Sequence, residues 1–274
     1  MTRARLRVGV TCALSGLLLA AACNGEAAQR GARPLAPDGE PVQVGQPVRV
    51  GAEAGARIDA EVRAGIERQH MVEATIMARG VTDERVLAAM RRVPRHRFVP
   101  EDVRALAHED RPLPIGHGQT ISQPFIVAFM TAAVAPRPGD KVLEVGTGSG
   151  YQAAVLAELG ARVFSIEIVE PLAERAAADL AAAGYDVAVR AGDGYRGWPD
   201  EAPFDVIVIT AAPDHVPPAL VEQLAPGGRL CLPVGPEGAE QQLRLITKAD
   251  DGSLTDRTLL PVRFVPMTGE ARDR

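Results

Sequence analysis

The chain has 274 residues and a formal net charge of −5, from 30 lysines and arginines against 35 aspartates and glutamates. This acidic balance excludes a protein whose main role is to grip a nucleic-acid backbone, because such a protein needs a basic face. The three cysteines, Cys12, Cys23 and Cys231, have neither the paired spacing of a zinc site nor the number that a disulfide framework needs, so we expect no disulfides and no structural metal.

The first 23 residues have the parts of a secretory signal. Arg3, Arg5 and Arg7 precede an uncharged run at 8–22 that is rich in Leu and Ala and is short for a membrane span of ~20 residues. Cys23 then resembles the lipid-accepting cysteine of a bacterial lipoprotein signal. The alternative interpretation is an over-long gene start that adds an apolar tail.

Residues 24–56 carry repeated Gly, Pro and Ala with only scattered Val and Leu. Such a segment cannot bury enough apolar surface to offset the entropy of ordering it, so we predict a disordered linker. Helical spacing of apolar residues begins near Ile58, and Thr82 is predicted to be the N-cap of a later helix. Since Gly80 and Pro94 interrupt this pattern, we expect two or three helices that cover one side of the domain that follows.

Strand and helix patterns then alternate along the chain. Strands are predicted at 141–145, 162–166, 186–190, 205–210 and 229–234, and helices at 151–159, 171–183 and 216–224. Residues 241–264 predict a final hairpin around an Asp-Asp-Gly turn at 250–252. The pattern predicts a doubly wound α/β fold whose mostly parallel seven-stranded sheet binds its ligand at the carboxyl ends of the strands.

A glycine-rich turn, with Gly146, Gly148 and Gly150, follows the first strand of this alternation. Such a turn lets the backbone approach a ligand closely, next to the free N–H groups of the following helix. Tyr151 stands where a dinucleotide fingerprint needs its third glycine, which disfavours NAD and FAD. Glu167 ends the next strand, 21 positions after Gly146, which suits a carboxylate that accepts hydrogen bonds from a ribose. Together these features favour an adenosine ligand without pyrophosphate, of which S-adenosylmethionine is the main cofactor.

Two further motifs lie at positions where the fold would bring them to the same edge. Asp193 stands between Gly192 and Gly194 after the third strand, where it either accepts the adenine amino group, holds the loop that does so, or is simply part of an Asp-Gly turn. Upstream, Pro124 suits the first turn of a helix over 125–134, and Ser122 is predicted to be its N-cap. A helix N-terminus attracts carboxylates.

Several segments of the chain resemble the protein-L-isoaspartate O-methyltransferase family. They cover about three quarters of the chain in order, at 95–100, 113–124, 142–151, 192–195, 204–212, 224–228 and 262–267. The glycine motif is shared by many methyltransferases, whereas the Thr-Ile-Ser-Gln-Pro segment at 120–124 is specific to this family.

The resemblance implies a class I methyltransferase domain at 57–268, with a helical extension and active-site loop at 57–135 and a cofactor-binding core and hairpin at 136–268. It implies S-adenosyl-L-methionine as methyl donor, without a metal, and the free carboxylate of isoaspartyl residues in damaged proteins as acceptor, with Ser122 as the active-site hydroxyl. The implied cofactor-binding residues are Thr120 and Ile121 in the active-site loop, Glu144, Gly146, Gly148 and Gly150 around the methionine part, Glu167 at the ribose, and Asp193 and Gly194 at the adenine.

Three alternatives stay open at this point. A nucleic-acid amine methyltransferase would need an Asn/Asp-Pro-Pro-aromatic segment after the fourth strand, where this chain has Thr-Ala-Ala-Pro at 210–213. Another S-adenosylmethionine-dependent methyltransferase leaves the 120–124 segment unexplained, and a non-catalytic module would fit the leader better.

The expected partners are peptides and proteins that contain isoaspartyl residues, with no nucleic acid and no membrane span, and we expect a monomer. Because S-adenosylmethionine is made and kept in the cytosol, we expect a cytoplasmic enzyme. The alternative is an exported lipoprotein anchored through Cys23.

Overall fold

The computed structural model describes residues 52–272 of the protein. The predicted leader at 1–23 and residues 24–51 of the predicted linker lie outside these residues. Within 52–272, no helix has both the length and the apolar character needed to cross a bilayer.

The helical extension begins with α1 (Ala52–Met71), which continues through one π turn and one 3-10 turn to Arg79. The helix therefore starts inside the range predicted as linker and before Ile58, because alanine, glutamate and arginine at 52–57 are strong helix formers. It ends at Gly80, whose φ of 93° is left-handed and costs glycine little.

The second helix, α2 (Glu84–Arg92), is capped by Asp83. The Asp83 carboxylate accepts hydrogen bonds from the backbone N–H groups of Arg85 at 2.9 Å and Val86 at 3.2 Å. The prediction of Thr82 as N-cap is therefore wrong by one residue, since the carboxylate of Asp83 reaches the free N–H groups of the first turn.

The α1 helix is joined to the segment that follows α2 by two histidine–glutamate contacts. His96 Nε2 lies 3.3 Å from Glu61 Oε1, and His108 Nδ1 lies 3.2 Å from Glu67 Oε2. The two imidazole rings are 5.7 Å apart, and burial lowers the pKa of both His96 and His108 despite their glutamate partners.

Acidification is expected to destabilise the protein through His96 and His108. Because the pKa of each is lower when folded than its unfolded value of about 6.5, the unfolded chain binds more protons as the pH falls. The contribution of the neutral His96 and His108 to the free energy of unfolding is thus complete above about pH 6.5 and is lost as the pH falls below that value. Urea unfolding at pH 7.5 and pH 5.5 measures this loss, which the double variant His96→Gln/His108→Gln should reduce. His70 is exposed, so His70→Gln is the control. If the double variant loses as much stability between pH 7.5 and pH 5.5 as the wild type, His96 and His108 are not the cause of the loss.

Two short strands, β1 (Leu113–Gly116) and β2 (Gln119–Ile121), form an antiparallel hairpin ahead of α3 (Pro124–Val134). The sequence pattern predicted only a loop here. Strands of four and three residues have too few alternating positions for a recognisable period.

A seven-stranded sheet follows, in the order β5-β4-β3-β6-β7-β8-β9. Its strands are β3 (Lys141–Val145), β4 (Arg162–Glu167), β5 (Val187–Ala191), β6 (Phe204–Ile209), β7 (Leu224–Val234), β8 (Gln241–Lys248) and β9 (Leu254–Val262). The first five strands are mutually parallel, and β8 and β9 add the predicted antiparallel hairpin. The remaining helices are α4 (Tyr151–Glu158), α5 (Glu170–Ala182) and α6 (Pro218–Glu222). The predicted doubly wound α/β fold is confirmed.

The largest local difference from the predicted elements lies between α6 and β7. The helix was expected over 216–224 and the strand from Arg229, but α6 ends at Glu222 and β7 already pairs with β6 at Leu224. Proline at the start of α6 fixes where this helix begins. The Ala-Pro-Gly-Gly segment at 225–228 is therefore a bulge within β7, which shifts its register against β6.

The central strands β3 and β6 explain where a ligand can bind. Both are nearly continuous apolar runs, and their inward residues are fully buried because helices cover both faces. The chain fills the sheet from β3 toward β5 on one side and then crosses back to β6 on the other. This reversal leaves a crevice beyond the carboxyl ends of β3, β4 and β6.

Candidate functional site

A cavity occupies this crevice, close to the β1–β2 hairpin. It is lined by residues 119–122 of and just after the hairpin, 144–149 at the end of β3 and after it, 166–168 at the end of β4, 210–211 after β6 and 265–268 near the C-terminus, together with Val127, Tyr151, Gln152 and Gly194. Below it is called the first cavity.

Eight of the ten predicted site residues line the first cavity: Thr120, Ile121, Ser122, Glu144, Gly146, Gly148, Glu167 and Gly194. Gly150 and Asp193 do not. Gly150 precedes α4 with a φ of 85°, and a Cβ atom there would lie 3.1 Å from Leu180 Cγ. Its place in the structure is therefore the close packing of α4 against α5.

The glycine turn holds the Glu167 carboxylate at the cavity wall. Gly148 donates its backbone N–H to Glu167 Oε2 at 2.8 Å, and Val169 donates to Oε1 at 2.9 Å. Each carboxylate oxygen can accept a further hydrogen bond. The carboxylate is thus fixed in place and still able to accept bonds from two hydroxyl groups.

Glu144 is fully buried near the end of β3 and is one of the residues that line the first cavity. Ser165 donates a short hydrogen bond to Oε2, whereas Oε1 has no hydrogen-bond partner of normal geometry among the described residues. Burial, and to a smaller extent the charge of Glu167, raises the pKa of Glu144 to about 8, although the Ser165 bond acts in the opposite direction. The carboxyl group is therefore mostly protonated near pH 7 and would ionise beside a cation.

The Ser122 hydroxyl does not cap α3, so the N-cap prediction is wrong. Because Pro124 takes the first helical position, Gln123 is the N-cap residue, and it forms no side-chain cap. The free N–H of Phe125 is instead bonded at 3.0 Å by Oδ1 of Asp110, fifteen residues upstream. The hydroxyl of Ser122 is left available at the cavity.

A second cavity adjoins the first. Thr120, Ser122, Thr210 and Val265 line both cavities. The second is otherwise formed by residues 260–264 at the end of β9 and after it, by Ile126 of α3, and by Arg79, Pro112, Gln123 and Glu240. Arg79 is ion-paired with Asp110 at 2.8 Å. Ser122, Thr120 and Thr210 thus lie between the two cavities, where two separate ligands could meet.

The C-terminal segment 265–268 is a part of the site that sequence reasoning missed. Its backbone is tied to Ala212, which donates to the Val265 carbonyl at 2.8 Å and accepts from Met267 at 2.8 Å. The signal was present, because the Val-Arg-Phe-Val-Pro-Met segment at 262–267 carried part of the family resemblance. Nothing in that segment has the chemistry that marks a site in sequence.

Asp193 holds the turn that follows this segment, Gly269–Arg272. Its Oδ1 accepts the backbone N–H of Tyr195 at 2.9 Å, and its Oδ2 accepts that of Glu270 at 2.8 Å. Glu270 is also paired with Arg196 at 2.5 Å. Of the roles considered from sequence, the geometry of Asp193 matches that of a residue that holds a loop.

No group of three or more His, Cys, Asp or Glu side chains within 52–272 is arranged to hold a metal ion. The one cysteine in this range, Cys231, is a free thiol buried in β7, and burial raises its pKa to about 12.

Comparison with known proteins gives consistent matches. The family model described as protein-L-isoaspartate(D-aspartate) O-methyltransferase matches residues 66–272. A protein-L-isoaspartate O-methyltransferase of Opitutus terrae is 62% identical over 205 residues, which are 74% of this chain and 88% of that protein. One from Gloeobacter violaceus is 58% identical over 201 residues, which are 73% of this chain and 98% of that protein.

Solved structures agree with these relatives. A protein-L-isoaspartate O-methyltransferase structure, 30% identical, superposes with a TM-score of 0.68 and covers 74% of this chain and 67% of its own. A putative enzyme of the same name from Plasmodium falciparum, in complex with S-adenosyl-L-homocysteine, is 26% identical with a TM-score of 0.65, covering 73% of this chain and 98% of its own.

Proposed function

The chain belongs to the protein-L-isoaspartate(D-aspartate) O-methyltransferase family, and we propose that it methylates the free carboxylate of isoaspartyl residues in damaged proteins. The methyl donor is S-adenosyl-L-methionine. The observation that carries the proposal is that two adjoining cavities share Ser122, Thr120 and Thr210 as lining residues, since methyl transfer needs the donor and the acceptor to meet at one point.

The first cavity has the groups that S-adenosyl-L-methionine requires. Glu144 presents an unpartnered carboxyl oxygen among its lining residues, which suits a cationic methionyl end. Glu167, fixed by two backbone N–H groups, can accept both hydroxyl groups of a ribose. When bound, the cofactor supplies an electrophilic methyl group on a sulfonium.

The second cavity is proposed to receive the isoaspartyl residue. The α-carboxyl group that isoaspartate leaves free ordinarily has a pKa of about 3.5 and is already ionised at neutral pH, so no strong general base is required. The protein's task is positioning, which can supply up to about 7–11 kcal/mol of the barrier in favourable cases. We propose that Ser122 donates a hydrogen bond to the acceptor carboxylate and fixes its direction.

Incubation of the purified protein with S-adenosyl-L-methionine labelled in its methyl group tests the function directly. Two peptides are compared that differ only in carrying isoaspartate or aspartate at one position. We expect label on the isoaspartyl peptide alone, and loss of that label in mild alkali, as for a methyl ester. Label on both peptides indicates another methyltransferase, and binding without any transfer indicates a non-catalytic module.

We propose further that the enzyme works in the cytoplasm, where its cofactor is made. The exported lipoprotein is the competing hypothesis, since Cys23 follows a leader with the form of a signal. Mass spectrometry of the mature N-terminus decides between them, because a diacylated Cys23 would contradict a cytoplasmic enzyme.

A further inference from the structure

A chain of three buried polar side chains ends at the first cavity. Thr147 Oγ1 lies 2.6 Å from Ser165 Oγ, and Ser165 Oγ bonds to Glu144 Oε2. The exposed fractions of these residues are 3% for Thr147 and 0% for both Ser165 and Glu144. The chain joins the glycine turn to β3 and β4, whose register pairs Glu144 with Ser165.

This arrangement destabilises the fold unless a bound ligand supplies the missing hydrogen-bond partner. The backbone N–H of Ala153 favours the ionised form of Glu144 but makes no hydrogen bond of normal geometry to Oε1. A buried carboxyl oxygen without a full hydrogen bond destabilises the fold, whether the group is charged or neutral. An apolar side chain at position 144 would avoid this cost. The unpartnered Oε1 belongs to a residue that lines the first cavity, so a cationic ligand there would give the carboxylate its missing partner.

We propose that Thr147 and Ser165 are positioning residues that hold Glu144 as the counter-ion of the cofactor's cationic methionyl end, and that cofactor binding releases a proton from Glu144. The inference rests on the proposed function, since it takes S-adenosyl-L-methionine as the ligand. Beyond that function, it assigns roles to Thr147 and Ser165 and couples cofactor binding to the ionisation of Glu144.

The two hydroxyl groups can serve both protonation states of Glu144. When the carboxyl group is neutral, its O–H can donate a hydrogen bond to Ser165 Oγ, and the Ser165 hydroxyl in turn donates a hydrogen bond to Thr147 Oγ1. When the carboxylate is ionised, the order reverses, and Thr147 donates to Ser165, which donates to Oε2. In the binding step the O–H bond of the carboxyl group breaks and the buffer takes up the proton, while the ligand's positive charge replaces it.

The charged groups around Glu144 are few, so a proton released on cofactor binding can be attributed to Glu144. From β4 the neighbouring charge is Glu167, which raises the pKa of Glu144. From β6 the paired residue is the apolar Val208, and from α4 the backbone N–H of Ala153 favours the ionised form. The other polar side chains that share the first cavity are uncharged: Gln119, Thr120, Ser122, Thr147, Ser149, Gln152, Thr210 and Thr268, with the phenol of Tyr151. Among the residues that the structure describes, no basic side chain lines the first cavity, so a bound cation has Glu144 and Glu167 as its charged neighbours.

Isothermal titration calorimetry of the full-length protein measures the proton directly. Binding of S-adenosyl-L-methionine is recorded at pH 7 in two buffers with different ionisation enthalpies, and the difference gives the protons released. We expect a release approaching one proton, and an affinity that increases between pH 6 and pH 8 because ionisation of Glu144 has a pKa of about 8. A release of zero, with affinity independent of pH, overturns the inference.

The variant Ser165→Ala tests the positioning role. Loss of a hydrogen bond to a charged group is expected to weaken S-adenosyl-L-methionine binding about tenfold at pH 7. It should also move the pH dependence of binding to higher pH, since the Ser165 bond favours the ionised carboxylate. Ser165→Thr should restore both values, whereas Thr75→Val, which removes a hydroxyl group bonded to the Met71 carbonyl outside the cavity, should change neither.

The outcomes separate this inference from the proposed function. If the wild-type protein binds the cofactor and methylates isoaspartyl peptide but releases no proton, the inference fails and the function stands. If it binds no cofactor, the proposed function fails first. Should Ser165→Ala not fold, the wild-type proton count still decides the coupling, and Thr147→Val tests the hydroxyl chain from its other end.

Discussion

Replacing Ser122 by alanine is expected to reduce the rate of isoaspartyl methylation about 100-fold, the range seen when one hydrogen-bond donor to a reacting oxygen is removed. The effect should fall on kcat rather than on cofactor affinity. Ser122 lines the border of the two cavities, and its hydroxyl group does not cap α3. Its loss thus removes a donor to the acceptor without removing a helix cap. Steady-state kinetics with an isoaspartyl peptide and calorimetry with S-adenosyl-L-homocysteine measure the two quantities.

Because the Ser122 hydroxyl does not cap α3, a loss of turnover in Ser122→Ala can be separated from a loss of stability. Had Ser122 capped α3, its replacement would cost about 1 kcal/mol of stability and shift the whole loop. The cap is instead provided by Asp110, so the unfolding midpoint of Ser122→Ala should equal that of the wild type. Thr258→Ala, on the exposed face of β9, is the matched removal of a hydroxyl group. Equal turnover in the two variants would show that Ser122 is not the group that orients the acceptor.

The fold could be predicted because its information is local. The central parallel strands β3, β4 and β6 are short and mostly apolar, and the order of strands and helices restricts the sheet to few topologies. The same holds for the cavity wall at the ends of β3 and β4, where Gly146 directly follows β3 and Glu167 is the last residue of β4. The carboxyl ends of parallel strands meet at one edge, so order along the chain was enough to bring them together.

The errors at the α3 cap and at the C-terminal segment arise where a partner is distant in sequence, whereas the error at Thr82 is local. The cap of α3 comes from Asp110, which sequence spacing cannot connect with Phe125, and the caps at Thr82 and Asp83 differ only in which side chain reaches the N–H groups. Residues 265–268 reach the first cavity because their backbone bonds to Ala212. An apolar segment gives no sign of such a contact before the chain folds.

Replacing Gly146 by alanine is expected to have the largest effect on both stability and cofactor binding. Gly146 has a φ of 93°, and a Cβ atom there would lie 2.4 Å from Thr210 Oγ1. The left-handed backbone costs about 1–2 kcal/mol for alanine, and overpacking a further 1–3 kcal/mol. To make room, Thr210 would have to rotate and lose its bonds to the carbonyl groups of Val145 and Gly146. Urea unfolding should show a loss of roughly 2–5 kcal/mol, and calorimetry should detect little binding of S-adenosyl-L-homocysteine.

The matched control is Gly139→Ala, because it separates backbone strain from the steric clash. Gly139 has nearly the same backbone angle, with a φ of 88°, but a Cβ atom there would meet nothing within 4 Å in the described part of the chain. Its replacement should cost only the strain, about 1–2 kcal/mol, and leave cofactor binding at the wild-type value. The difference between the two variants is thus the contribution of the contact between the glycine turn and Thr210. Equal losses of stability, with cofactor binding intact in both, would mean that Thr210 moves freely and that the turn does not need a glycine for close approach.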